Sequence, residues 1–283
     1  MTVANFRPTI WSARILTNLS RTTVASGIVN RDYEGDTANA EAVKITSIVD
    51  PTITAYTGAD MTPEDIDDAT RTLSLDQKKA FNFYLDDVDK AQVANSGALM
   101  AAAIDRASYG LRNALDSYIL GLLAAGASDS GPDHDVAEAT ISTASGAYDA
   151  LVNWAVLLDE ADVPEENRFA VVSPKFHGLL QKDSRFIAAG DAAGAGVRAD
   201  GRIGFAAGLE VFKSNNLPAG PGAGAGTYQI VGSRYACTLA EQINKVEAYR
   251  AEKSFKDGVK GLHVYGAKVT RPTALVAADV IVS

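Results

Sequence analysis

Residues 35–87 read GDTANAEAVKITSIVDPTITAYTGADMTPEDIDDATRTLSLDQKKAFNFYLDD, and the fold turns on how this stretch is built. Val43, Ile45, Ile48 and Ile53 give thin apolar alternation on an outgoing side; Leu73, Leu75, Phe81, Phe83 and Leu85 give it on a return. That pattern predicts a long β-hairpin from Gly35 to Asp87 without a core of its own. Between its arms lies an acidic tip, Asp60 to Asp68, with no basic residue. A two-stranded ribbon is marginal in water, and its open backbone edges invite pairing with another chain. The ribbon makes sense if a neighbouring copy supplies the missing packing surface.

The segments around the ribbon fit the same reading. Phe6 to Leu19 reads as a short amphipathic helix, with Pro8 near its start and Trp11, Ile15 and Leu19 on one face. Asn30 to Gly35 is a polar, turn-prone junction. These two parts make an arm that must lie on something. After Asp86, a helix from Ser96 to Ala125 is expected. Met100, Ile104, Ala107, Leu111, Leu115, Tyr118 and Leu122 step by three or four, giving a spine of about 45 Å. A second helix is expected over Ala137–Ala161. Phe169–Ser173 reads as a buried strand, and Pro174 opens a helix through Leu180. A turn and strand follow in Ile203–Phe212, then a strand at Tyr228–Val231, a short helix at Ala240–Ile243 and a strand at Val246–Tyr249. Two alternating stretches, Leu262–Val269 and Ala274–Val282, close the chain, broken at Pro272. Ala188–Gly201 and Ala219–Gly226 are Gly/Ala-rich and expected to be mobile loops. The sum is α+β.

With 283 residues and 47% apolar content the chain can bury a sizeable core. A net charge of −9 argues against tight nucleic-acid binding. It suits a surface along which nucleic acid must slide. The lone Cys237 excludes an internal disulfide and any multi-cysteine metal site; it is expected to be a small buried hydrophobe. Arg7, Pro8, Arg14 and Arg21 interrupt any signal-peptide core, and no run approaches a membrane span.

No catalytic constellation emerges. Gly220–Gly226 lacks the strand-loop-helix order and the Gly-Lys-Ser/Thr triplet of a phosphate loop. Glu64, Asp65, Asp67 and Asp68 lack the spacing of a calcium loop. Asp86, Asp87 and Asp89 suit a helix entry. His134, His177 and His263 have no second ligand at metal spacing, and no nucleophile elbow occurs. No cofactor, metal or catalytic residue is expected.

Four strings carry a family likeness: Phe6-Arg-Pro-Thr-Ile-Trp-Ser12, Asn30-Arg-Asp-Tyr-Glu-Gly35, Phe83-Tyr-Leu-Asp-Asp-Val-Asp-Lys-Ala-Gln92 and Gly266-Ala-Lys-Val-Thr-Arg-Pro272. In their order along the chain, it resembles the major capsid (coat) proteins of tailed bacteriophages with the Hong Kong 97 capsid fold. The resemblance implies an N-terminal arm (1–35) and an extended hairpin loop (36–87). It also implies a peripheral domain with the spine helix (88–135 and 254–283) and an axial domain (136–253). It implies a structural protein that self-assembles through hexamers and pentamers into an icosahedral virion shell around double-stranded DNA, in the host bacterial cytoplasm. A separate scaffolding protein, or a form already processed, is expected, with a portal and a possible decoration protein as further partners and DNA touched weakly. The expected inter-subunit contacts are Trp11, Arg14, Arg21 and Arg31 of the arm, Lys44 and Arg71 of the ribbon, and Asp60, Glu64, Asp65, Asp67 and Asp68 at its tip. Lys44, Lys78 and Lys79 lie in or near the hairpin, but no covalent cross-link is predicted. The competing readings are an encapsulin-like nanocompartment shell and a soluble α+β enzyme.

Overall fold

A computed structural model describes residues 23–33, 42–48, 53, 55, 68–86, 96–129, 134–183, 185, 202–222, 224, 226–251, 254 and 256–283. The expected arm helix over Phe6–Leu19, the acidic tip up to Asp67 and the stretch Ala188–Gly201 lie outside them.

The spine is α2, Ser96–Ser128, preceded by a single turn, α1, Ala25–Ile28. The 33 residues of α2 span about 50 Å. Its sequence holds no proline and many alanines, so nothing interrupts it. Among its described side chains the deeply buried apolar ones lie in the C-terminal half: Leu115, Ile119, Leu120, Leu123, Ala124 and Ala127. Ser128 then turns its hydroxyl onto the Ala125 carbonyl at 2.7 Å and the chain leaves the helix.

A six-stranded sheet forms the larger layer. Its strands are β4 (Asp135–Ile141), β5 (Arg168–Val172), β6 (Arg202–Ala206), β7 (Leu209–Lys213), β8 (Thr227–Ser233) and β11 (Leu275–Val282). Their spatial order is β4-β11-β8-β5-β7-β6. The β4–β11 and β5–β7 pairs are parallel, the rest antiparallel. Central β5 is buried along its whole length, which is why Phe169-Ala-Val-Val172 carries no alternation. Two helices pack here, α3 (Ala144–Glu160) and α4 (Pro174–Leu180). The Thr143 hydroxyl caps α3 by accepting from Gly146 N–H, and Ser173 caps α4 by accepting from Phe176 N–H, with Pro174 in the first turn. Trp154 and Phe176 stack at 5.5 Å between the two helices. Buried Arg168 ties down the loop between α3 and β5, donating to Asp159 at 2.6 Å, to the Pro164 carbonyl at 3.0 Å and to the Val163 carbonyl.

A three-stranded sheet runs β3-β10-β9, from β3 (Gln77–Asp86), β9 (Cys237–Arg250) and β10 (Lys256–Val269). A separate antiparallel pair joins β1 (Ala42–Ile48) to β2 (Asp68–Ser74), with Val43 opposite Leu73 and Ile45 opposite Arg71.

Several expectations need correction. The hairpin's return arm ends at Ser74: Phe81, Phe83 and Leu85 belong to β3, which pairs with β10 rather than β1. The helix expected from Ala137 begins only at Ala144. Asp135–Ile141 is instead an edge strand, mostly exposed, so it never shows the period of a half-buried strand. Ala240–Ile243 is not a helix but part of the continuous β9, where Ala240 faces Gly266 across the ladder. The span 254–283 divides between the sheets, β10 in one and β11 in the other, while β9 joins β10. Strand pairing therefore crosses the boundary expected at residue 253. The break at Pro272 is a single 3-10 turn, Pro272–Ala274, between strands of different sheets.

Candidate assembly interface

The ribbon meets the body through a small cluster. Ile45 and Leu73 pack with Leu75, Ala240 of β9 and Val264 of β10, and Tyr33 lies against them. The crossing is close enough to need Gly266: a Cβ there would fall 2.1 Å from the Ser74 carbonyl oxygen and 2.9 Å from Leu75 Cα. Both obstacles are backbone and cannot swing away. Arg71 adds a hydrogen bond of 3.4 Å to the Val269 carbonyl. Lys44 is exposed on β1, in register with Thr72. Asp68 opens β2 opposite Ile48. Trp11, Arg14, Arg21, Asp60, Glu64, Asp65 and Asp67 lie outside the described residues.

Arg31 has a partner within its own chain. Its Nη2 donates to Glu241 Oε1 at 3.1 Å, and His263 Nε2 stands 3.0 Å from Glu241 Oε2. The His263 hydrogen bond and then the Arg31 charge outweigh burial and hold the Glu241 carboxyl below the usual range. The junction before the ribbon is further fixed by Asn30, whose N–H bonds the Cys237 carbonyl and whose carbonyl accepts from Leu239 N–H, each at 2.9 Å.

Where the arm leaves the body, a residue not singled out from the sequence takes charge. Asp116 on α2 is fully buried. Its Oδ1 accepts from Val24 N–H at 2.7 Å and from Ala25 N–H at 2.8 Å; its Oδ2 accepts from Asn216 Nδ2 at 2.7 Å. Asn216 also reaches Asn113 at 2.9 Å. The carboxylate thus supplies acceptors to amides at the start of α1 that the helix cannot satisfy. The signal was present: Ile119, Leu120 and Leu123 stand three, four and seven residues on, which places Asp116 on an apolar face.

The loop 219–226, expected to be mobile, wraps two carboxylates in its described part. Gly222 N–H donates to Asp279 Oδ2 at 3.0 Å and Gly224 N–H to Glu138 Oε2 at 3.1 Å, while Gly220 N–H bonds the Gly226 carbonyl at 3.0 Å. A Cβ on Gly220 would lie 1.8 Å from Asp279 Oδ1, so the repeated glycine lets backbone approach the acids of β11 and β4.

His134 bonds the Leu275 carbonyl at 2.8 Å. His177 is buried on α4, and burial with the Lys213 charge pushes its pKa down to about 4. Cys237 is buried, and burial pushes its thiol up to about 12, away from reactivity. Among the described residues no group of three or more His, Cys, Asp or Glu could hold a metal ion, and no helix is long and apolar enough to cross a membrane.

The chain matches the family model described as phage capsid protein over residues 68–278. No curated protein matches it. Among solved structures it is similar to one from Mycobacterium phage Che8, with 31% identity, 97% of each chain covered and a TM-score of 0.79. It also matches the capsid structure of the cyanophage P-SCSP1u, at 17% identity, 100% of this chain, 95% of that one and a TM-score of 0.73. The mature capsid of bacteriophage PhiM1 follows with 18% identity, 97% and 92% coverage and a TM-score of 0.70. The last two speak to the fold alone. With the α+β layers, the spine and the ribbon all accounted for, the chain belongs to the phage capsid protein family and is a major capsid shell protein with the Hong Kong 97 fold.

Proposed function

We propose that copies of this chain close into hexamers and pentamers and build an icosahedral shell around double-stranded DNA. The observation that carries the reading is the β1–β2 ribbon, joined to its own chain among the described residues by one small cluster, a close glycine crossing and the Arg71 hydrogen bond to Val269. A stable interface needs about 800 Å² per partner, and a ribbon laid on a neighbour reaches such an area with few residues. In this layout α2 and the three-stranded sheet form the peripheral unit, and the six-stranded sheet with α3 and α4 forms the axial unit. The acidic tip, Asp60 to Asp68, meets basic side chains of an adjacent copy. Arg14, Arg21, Lys44 and Arg71 suit that role better than Arg31, which Glu241 already engages. The net charge of −9 suits weak, non-specific contact with packaged DNA. Assembly takes place in the host bacterial cytoplasm with a separate scaffolding protein, a portal and a decoration protein as partners. The chain itself acts as architecture, without catalysis or cofactor.

Replacing residues 57–67 by a short turn tests this. The shortened chain is expected to keep its circular dichroism and to form no particles in negative stain. Shells of normal size from that chain would refute the role given to the ribbon.

A further inference from the structure

Among the described residues β4 pairs only with β11, and β6 only with β7, so these two strands form the edges of the six-stranded sheet. Each edge carries an apolar feature that the described residues leave exposed. Beside β4, a groove of about 420 Å³ runs between the sheet and α3, lined by Val136, Ala139, Ile141, Val156 and Leu157. Val156 is 44% exposed at its lip. On the opposite edge, Phe205 of β6 is 45% exposed, although the neighbouring Ala206 is buried. A groove on one side and a large aromatic side chain on the other are a matched pair, but not within one molecule. Five strand spacings of about 4.8 Å separate the two edges, or about 24 Å.

The surrounding charges are also matched. Asp135 and Glu138 lie on β4, and Glu160 ends α3 beside the groove. Lys213 ends β7 beside the β6 edge, and Glu210, in register with Phe205, is taken up by Arg234 at 2.9 Å. An apolar centre within a rim of opposite charge is the anatomy of a specific contact.

We infer that these edges are the two halves of one head-to-tail contact, in which Phe205 of one copy seats in the β4–α3 groove of the next. A contact between unlike surfaces closes into a ring when its rotation allows, so this inference rests on the proposed ring-built shell and names the surfaces that close the ring. A contact between like surfaces would join Phe205 to Phe205 and stop at two copies.

The test uses the chain's single, buried cysteine to advantage, since Cys237 stays silent. Phe205→Cys is combined with Val156→Cys, particles are assembled, and a short bis-maleimide is added. The double variant is expected to give a ladder of covalent multimers on a denaturing gel, and each single variant to give none. If the double variant does not assemble alone, it is mixed with excess wild-type chain, where covalent dimers are the expected product. Particles that form without any cross-link between the two positions overturn the contact while leaving the shell intact. Dimers from Phe205→Cys alone overturn it too, in favour of a like-to-like edge. Failure of the unaltered chain to form particles counts against the shell reading instead. As a second variant, Phe205→Glu is expected to abolish particles while the subunit keeps its wild-type circular dichroism; normal particles from it would overturn the proposal.

Discussion

Replacing Asp116 by alanine strands the amides of Val24 and Ala25, and the size of the effect follows from what else holds that segment. The two N–H groups donate to Asp116 Oδ1 at 2.7 and 2.8 Å. A buried donor left without a partner costs about 1–3 kcal/mol, so the pair costs about 2–6 kcal/mol. The segment escapes that cost if it peels from α2 into water, but Val24, Ile28 and Val29 are all buried there. Burying such side chains contributes about 1.5–3 kcal/mol each. Exposing three of them costs more than stranding two amides, so the segment stays docked and the folded state carries the penalty. Asp116 and Ala25 line a cleft, and removing the carboxylate opens a path from that cleft to the two amides, which puts the loss at the lower end, about 2–3 kcal/mol. With a urea slope of about 3 kcal/mol per molar for a chain of this size, the unfolding midpoint of the unassembled subunit should fall by about 1 M. Amide exchange at Val24 and Ala25 should quicken in step. Asp116→Asn, which keeps one acceptor and the volume, should lose less. A midpoint for Asp116→Ala within about 0.2 M of wild type, well below the fall expected from that slope, would mean that the carboxylate does not anchor the arm.

Gly266→Ala forces a Cβ against the Ser74 carbonyl at 2.1 Å, so the ribbon's base must shift. The variant should fold around its main core yet fail to make regular particles, and regular particles by electron microscopy would show the crossing to be more compliant than it looks. His177 titrates at about 4 when folded, because burial and then Lys213 disfavour the imidazolium, against about 6.5 unfolded. The unfolded chain therefore binds the extra proton in that window. The stability from His177 is complete above about pH 6.5 and falls as pH drops toward about 4. Urea midpoints measured across this range should fall less in His177→Gln than in wild type, and parallel curves would dismiss the effect.

Some elements were plain in the sequence because local chemistry and tertiary placement agree. Ser173-Pro174 marks both the end of buried β5 and the capped start of α4. The three-and-four spacing after Ser96 marks α2 because one half of it lies on the core. Other elements were hidden because distant partners decide them. β4 is an exposed edge strand held by the parallel β11, far along the chain. β9 overrides a helical-looking Ala240-Glu-Gln-Ile243 because β10 offers a ladder of matching length. The ribbon was legible as an apolar alternation, yet alternation does not tell which strand lies opposite, and β3 took β10 as its partner. Among the proposed contact residues, Arg31 was expected to face a neighbouring copy; its partner Glu241 is brought beside it only by folding. The glycines of residues 220–226 looked like slack for a similar reason, since Glu138 and Asp279 arrive from other strands.

The separateness of the ribbon's footing has a mechanical meaning. Ile45, Leu73, Leu75, Ala240 and Val264 form their own buried group, distinct from the large one spanning α2, α3 and the six-stranded sheet. Tilting the ribbon therefore loads that small group first, and reaches the large one through the Arg71 hydrogen bond to Val269 and through β9 and β10, which the two groups share. In the shell proposed above, such a footing would let one amino-acid sequence take up inequivalent positions by changing the angle of a lever about its pivot.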